Sequence, residues 1–196
     1  MAFADSYNFH LTPRHKTTSF SKRKDTNITL PEHVLGHTVA PDTCQDASQI
    51  FPFLWLGSKI HAYDQDLMMG YKEIPNKISL IINISQKIEN KFETEGISYM
   101  QIPFCDVIDS PMIDYFDETF RCIEQARLRN EIVFVHCRMG ISRSATIVIA
   151  YIMRFLKTPF LEALKIVVEK RPIVEPNIGF IRQLEQYEKI LKKEAK

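Results

Sequence analysis

The 196-residue chain has no marked excess of either charge, since 25 Lys and Arg residues stand against 24 Asp and Glu residues. This balance argues against a broad basic surface for nucleic acid or an anionic membrane. No apolar run approaches the roughly 20 residues that cross a bilayer. The N-terminus also lacks a signal-peptide core, and position 2 is not the Gly that N-myristoylation requires. We therefore expect a cytoplasmic or nuclear protein without a membrane span or a nucleic-acid partner.

Cysteine is also scarce and irregularly spaced. The four cysteines, Cys44, Cys105, Cys122 and Cys137, form no CxxC pair. In a chain of this size they indicate reduced thiols rather than a disulfide framework or a zinc site. We expect Cys44 and Cys122 to be buried as small apolar residues, and we predict no metal and no cofactor.

The composition of the chain and its apolar periodicity change near residue 47. Residues 1–46 are polar and lack sustained periodicity, which predicts a flexible N-terminal arm. Residues 47–196 have the apolar patterns of a folded domain. Its strands are predicted from short apolar runs at 51–57, 79–84, 98–104 and 131–137.

Helical patterns alternate with these runs. One helix is predicted after Asp114 as its cap, a second and fully buried helix over 144–156, and a third after the cap Thr158. A last helix is predicted from about Ile178. The alternation predicts an α/β fold with a central, mostly parallel sheet of four to five strands flanked by helices.

The segment VHCRMGISRS, residues 135–144, joins a predicted strand to a predicted helix. A tight loop at this place can direct backbone N–H groups inward, toward the positive end of the helix. Gly140 permits the sharp bend, and Arg143 can offer a planar fork to two phosphoryl oxygens. The loop therefore predicts a cradle for a phosphate dianion with Cys137 at its base.

The same positive surroundings favour the thiolate form of Cys137, which is a nucleophile at neutral pH. Ser144 can hydrogen-bond the sulfur and help it leave when a thiophosphate breaks down. His136 is expected to brace the loop rather than to transfer protons. These residues predict a phosphatase.

The segment HCRMGISRS resembles the signature of the cysteine-based protein tyrosine phosphatases, and Ser142 with the following SATIVIAYIM resembles its dual-specificity branch. FPFLWLGS, YMQIPFCD and RPIVEPNIGFIRQL resemble further segments of that branch, in the same order. The resemblance implies a protein tyrosine phosphatase-like fold, a small atypical dual-specificity phosphatase and a catalytic domain over 47–196. It also implies a phosphate-binding loop formed by Arg138, Met139, Gly140, Ile141 and Ser142.

The resemblance also implies a general acid on a loop about thirty residues before the nucleophile. Asp106 lies 31 residues before Cys137 and is the predicted acid, with Asp109 as its competitor. Asn177 matches a family residue that steadies the phosphate loop or orients water. Cys105 is predicted to be structural, with a redox partnership to Cys137 as the alternative.

The predicted substrates are proteins that carry phosphotyrosine, phosphoserine or phosphothreonine, since the sequence has no stretch resembling the wall of a deep phosphotyrosine cleft. Two alternatives are open: hydrolysis of phosphoinositides or other non-protein phosphates, and a pseudophosphatase that only binds phosphopeptides. Arg171 is expected to cap a helix or to form an ion pair, with a position on the substrate face as the alternative. KRKDTNITL, residues 22–30, resembles a docking peptide for mitogen-activated protein kinases through Lys22, Arg23, Lys24, Ile28 and Leu30; a plain basic or nuclear-targeting stretch is the alternative.

Overall fold

A computed structural model describes residues 46–195 of the chain. Nearly all of the predicted arm, residues 1–46, lies outside the described residues. So do Cys44 and the five predicted docking residues, Lys22, Arg23, Lys24, Ile28 and Leu30.

The described domain is built on one five-stranded sheet, whose spatial order is β1-β2-β5-β3-β4. All neighbouring pairs are parallel except the antiparallel pair β1-β2. β5 lies at the centre, and every one of its residues is buried. The predicted α/β class with a mostly parallel sheet is confirmed. The strands are β1 Ser48–Phe51, β2 Leu54–Gly57, β3 Ile78–Asn83, β4 Ser98–Gln101 and β5 Ile132–His136.

Two predicted strands differ from the structure at prolines. The run 51–57 is not one strand, because Pro52 and Phe53 form the turn between β1 and β2. Proline has no backbone N–H to donate to a sheet ladder, so it is excluded from the interior of a paired strand. The run 98–104 likewise leaves the sheet after Gln101, two residues before Pro103.

Helices cover both faces of the sheet. The short helices α1 and α2 contribute to an apolar cluster with Trp55, Ile81 and Phe134. α4 packs against β2 and β5 and is itself surrounded by α3, α5 and α6, which explains why it is buried nearly throughout. The helices are α1 Lys59–Ala62, α2 Gln65–Met68, α3 Phe116–Leu128, α4 Arg143–Phe155, α5 Phe160–Lys170 and α6 Ile178–Glu194.

The two predicted helix caps are wrong. Asp114 lies inside a 3-10 turn, Met112–Tyr115, that leads directly into α3, so it does not stand at the helix boundary. Thr158 contacts the Leu156 carbonyl instead of α5, which begins behind Pro159 without a side-chain cap. Among residues 46–195, no helix is both long and apolar enough to span a membrane.

Candidate active site

The loop of residues 137–142 joins the central strand β5 to the buried helix α4. The carbonyl groups of residues 137–141 each accept one hydrogen bond from a residue that does not belong to the loop. For Cys137 this residue is its neighbour His136. A planar trans peptide points its C=O and N–H in opposite directions. The N–H groups of residues 138–142 therefore face away from these donors, into one concave surface. The donors are His136 Nδ1, Lys59 N, Arg171 Nη2, Arg171 Nε and Glu175 N, at 2.8–3.3 Å.

The Cys137 sulfur lies at the floor of this surface and is almost completely buried. The Gly140 N–H donates to it at 3.2 Å, and the Ser144 hydroxyl donates to it at the same distance. Two donors on one sulfur stabilise a negative charge there more than a neutral thiol. The predicted neighbours of Cys137 are thus in place around it.

Gly140 is the one loop residue with a positive φ, +71°. A Cβ at this position would lie 2.5 Å from the Gly57 carbonyl oxygen and 2.8 Å from Arg171 Nη2. The loop needs glycine here both for its backbone conformation and for its close approach to β2.

Arg143, the first residue of α4, is held by backbone carbonyls on the sheet edge. Its Nη1 donates to Ile84 O at 3.2 Å and to Phe104 O at 3.0 Å. Its Nε lies 3.4 Å from Asp106 Oδ2, so the guanidinium and the predicted acid form an ion pair. This geometry places a fixed cation beside the cradle of N–H groups.

Asp106 also accepts two hydrogen bonds on Oδ1, from Ser142 Oγ at 2.8 Å and from Asn177 Nδ2 at 2.7 Å. Asn177 is the residue before α6, where its own Oδ1 accepts from the Phe180 N–H. Its backbone N–H donates in addition to Ser142 Oγ. The N-terminus of α6, the loop of residues 137–142 and the predicted acid are therefore joined in one network.

A pocket of about 330 Å³ opens over the sulfur. Asp106 lines it, whereas the competing Asp109 is not among its lining residues in the described part of the chain. The side chain of Met139 is partly exposed at its mouth and that of Arg138 is exposed. The pocket is lined by Asp106, Cys137, Arg138, Met139, Ile141, Ser142 and Arg143.

His136 lies behind the loop and is buried. Burial, with smaller contributions from the positive charges of Arg143 and His61, lowers its pKa from 6.5 to about 4. Its ring is therefore neutral at pH 7, and Nδ1 must carry the hydrogen because the Cys137 carbonyl, 3.3 Å away, can only accept. In this state the residue can brace the loop, as its sequence position predicts.

The sequence did not predict the role of Arg171. This side chain is fully buried and donates to the carbonyls of Met139 and Gly140 on the loop, and to Asp46 O and Ser48 Oγ beside β1. Arg171 stands at the end of α5 as predicted, with its backbone N–H donating to Val167 O, and its side chain reaches the loop in addition. Only its position after α5, before Pro172, gave a signal, and that signal did not indicate the loop as its partner.

Within residues 46–195, the two other thiols lie outside the pocket lining. Cys105 is exposed, and its thiol donates to Gln86 Oε1 at 3.6 Å. Cys122 is half-buried on α3, and burial raises the pKa of its thiol. Across residues 46–195, no three His, Cys, Asp or Glu side chains gather as a metal-binding group.

A mostly parallel sheet whose central strand ends in a Cys–loop–Arg anion cradle defines the cysteine-based phosphatase class. Residues 54–190 match the family model of the dual specificity phosphatase catalytic domain. The chain belongs to this dual specificity phosphatase family, as its resemblance predicts.

Known relatives agree with this assignment. Mouse dual specificity protein phosphatase 19 is 40% identical over 139 residues, which are 71% of this chain and 60% of that protein. A Slingshot homolog protein phosphatase from Xenopus laevis is 40% identical over 144 residues, or 74% of this chain. The crystal structure of DUSP15 is similar with a TM-score of 0.65 and 32% identity, over 75% of this chain and 95% of that one. The chain spans 60% and 20% of the length of the first two relatives.

Proposed function

We propose that this chain is an active dual-specificity protein phosphatase that works through a cysteinyl-phosphate intermediate on Cys137. The observation that supports this most is the buried sulfur of Cys137, which accepts a hydrogen bond from the Gly140 N–H and lines one pocket together with Arg143 and Asp106. Both curated relatives carry protein phosphatase in their names. Loss of any one of Cys137, Arg143 or Asp106 would favour a binding protein instead, and all three are present.

In the first step, the Cys137 thiolate attacks phosphorus and forms the S–P bond. The P–O bond to the leaving group breaks, its electron pair goes to that oxygen, and Asp106 supplies the proton. Arg143 and the N–H groups of residues 138–142 hold the non-bridging oxygens, on which negative charge is spread in the transition state. The cradle thus binds the transferring group throughout the step.

In the second step, a water molecule attacks the phosphorus of the cysteinyl phosphate. Asp106, now a carboxylate, takes a proton from this water, and phosphate leaves as the P–S bond breaks with its electron pair on sulfur. The Ser144 hydroxyl, 3.2 Å from the sulfur, stabilises the departing thiolate. Asn177 supports the acid through its bond to Asp106 Oδ1.

The proposed substrates are proteins that carry phosphotyrosine, phosphoserine or phosphothreonine, in the cytoplasm or nucleus. The partly exposed Met139 and the exposed Arg138 at the pocket mouth are suited to contact the peptide around the phosphorylated residue. Docking of a mitogen-activated protein kinase through residues 22–30 remains a prediction from the sequence.

The test measures phosphate release by the full chain from matched phosphotyrosine and phosphothreonine peptides and from a phosphoinositide. Cys137→Ser and Asp106→Ala are compared with Cys105→Ser and Asp109→Ala, which change the same residue types outside the pocket lining. We expect peptide turnover to vanish in Cys137→Ser and to fall about 100-fold in Asp106→Ala. The two controls should stay within about twofold of the unmodified chain.

Other results would lead to other functions. Preferential hydrolysis of the phosphoinositide would replace the protein substrate with a lipid one. Phosphopeptide binding without turnover on any substrate would make the chain a binding protein. A loss in Asp109→Ala equal to that expected of Asp106→Ala would move the general acid to Asp109.

A further inference from the structure

Arg171 carries a positive charge in the interior of the domain, because only 1% of the residue is exposed. Burying a guanidinium costs several kcal/mol unless its donors are hydrogen-bonded. Here the donors reach Gly140 O at 2.8 Å, Met139 O at 3.3 Å, Asp46 O at 3.2 Å and Ser48 Oγ at 3.3 Å. A planar guanidinium can make such contacts in several directions at once, which an ammonium cannot.

The two loop contacts fall on consecutive peptide groups. Arg171 Nη2 binds the carbonyl of the 139–140 peptide, and the N–H of that same peptide donates to Cys137 Sγ at 3.2 Å. Arg171 Nε binds the carbonyl of the 140–141 peptide, so the Ile141 N–H points to the opposite side, into the pocket. One side chain therefore orients two of the N–H groups that would meet the phosphoryl oxygens.

The other contacts of Arg171 lead to the start of the described domain. Asp46 and Ser48 lie at the beginning of β1, the edge strand of the hairpin. Arg171 itself follows the last residue of α5. The guanidinium consequently connects three separate parts of the chain: the beginning of β1, the end of α5 and the phosphate-binding loop.

We propose that Arg171 is a positioning residue for oxyanion binding: it holds the Gly140 and Ile141 N–H groups toward the sulfur, and the beginning of β1 holds Arg171. This inference rests on the proposed function only in taking the loop as the phosphate site. Removing the guanidinium frees two carbonyls, allows both peptide groups to rotate and weakens the anion cradle without touching a substrate atom. Ser48, which does not line the pocket but accepts a hydrogen bond from Arg171, should act in the same direction through Arg171.

The experiment measures the binding of tungstate, an oxyanion probe, by calorimetry, so that it does not depend on turnover. The full chain is compared with Arg171→Met, Arg171→Lys and Ser48→Ala. Arg154→Met is the matched control, because Arg154 is also a largely buried arginine but pairs with Glu194 at the far end of α4. The Tm of each variant and the amide NMR shifts of Gly140 and Ile141 are recorded alongside.

We expect tungstate affinity to fall about tenfold or more in Arg171→Met, since bonds from a charged donor are lost. Arg171→Lys, which can reach one carbonyl, should lie between Arg171→Met and the unmodified chain. Ser48→Ala should lose about twofold, and Arg154→Met should keep its affinity even if its Tm falls equally. The Gly140 and Ile141 amide shifts should move in the Arg171 and Ser48 variants and stay in place in Arg154→Met.

The proposal is overturned if the Arg171 variants bind tungstate like the unmodified chain, or if Arg154→Met loses as much affinity at an equal loss of Tm. If Arg171→Met does not fold, Arg171→Lys and Ser48→Ala decide by the same two criteria. Turnover with unchanged tungstate binding in these variants would refute the positioning role and leave the phosphatase proposal intact. Graded tungstate binding without turnover would support the positioning role and refute the phosphatase proposal.

Discussion

Replacing Gly140 with alanine should inactivate the loop far more than it destabilises the domain. An alanine Cβ would lie 2.5 Å from the Gly57 carbonyl oxygen, whereas ordinary contacts begin at 3.4 Å. The loop and β2 must therefore separate by about 0.9 Å. The Gly140 N–H, now 3.2 Å from the Cys137 sulfur, would move with the loop. A misplacement of about 1 Å in a catalytic arrangement costs roughly 100-fold in rate, and losing one oxyanion donor costs about 100- to 1,000-fold.

Gly96 provides the matched control. It has φ +74°, close to the +71° of Gly140, but its Cβ would meet only the flexible end of Lys77 at 3.6 Å. Gly96→Ala should lose about 1 kcal/mol of unfolding free energy from backbone strain and keep its kcat/KM. Gly140→Ala should carry the same strain, a further steric cost, and a fall in kcat/KM of at least about 100-fold, or about 2.7 kcal/mol.

The assay combines urea unfolding with phosphate release from a phosphothreonine peptide. A Gly140→Ala chain with a kcat/KM within about threefold of Gly96→Ala would refute the reasoning, because the close contact with Gly57 would then have no effect on the cradle. Equal losses of activity in both variants would assign the effect to general destabilisation.

Three further outcomes are expected. Ser144→Ala removes a 3.2 Å hydrogen bond to the departing sulfur, so kcat should fall about tenfold to 100-fold. Stopped-flow kinetics should show a burst of dephosphorylated product before slower phosphate release. Steady turnover without a burst would contradict a role of Ser144 in the breakdown of the intermediate. His136 has a folded-state pKa of about 4, below the 6.5 of the unfolded chain. The unfolded chain therefore binds a proton that the folded chain does not, and the free energy of unfolding should fall by about 3 kcal/mol as the pH is lowered from 6.5 to 4. Urea unfolding of His136→Asn should show a smaller fall over this range, and equal falls in both chains would argue against the lowered pKa. Asp106→Asn should slow the hydrolysis of phosphothreonine peptides, which have a basic alkoxide leaving group, more than that of an aryl phosphate whose phenolate leaves without a proton. Equal slowing of both substrates in kinetic assays would count against Asp106 as the acid.

Sequence reasoning succeeded for the strands and helices whose pattern is local in the chain. The strand before Cys137 and the helix after Ser142 are strongly apolar, and the loop between them is too short to allow many arrangements. The α/β class followed from the same runs. The local pattern predicted one strand over residues 51–57, but the apolar run continues through a hairpin turn. It also predicted a helix cap at Asp114, where a 3-10 turn displaces the helix boundary. It also could not find the Arg171 contacts, because β1 and the loop meet that side chain only after α5 has packed against α4.

The contacts of Asp106 indicate how this residue could serve as the acid in both of the chemical steps that we propose. Ser142 and Asn177 donate to Oδ1 of Asp106, while the contact of Oδ2 is with Arg143. In the mechanism that we propose, an arriving phosphoryl group would compete for the Arg143 guanidinium, so this ion pair would be the contact that binding weakens, and the two bonds to Oδ1 could persist. The backbone adds a second restraint: a Cβ on Gly179 would lie 2.0 Å from Ile108 O, so glycine alone lets the acid loop rest against the start of α6. The Asp106 carboxyl group is therefore held in the pocket that Cys137 also lines, and in the mechanism that we propose substrate binding would free Oδ2, the oxygen that faces the cation, for proton transfer.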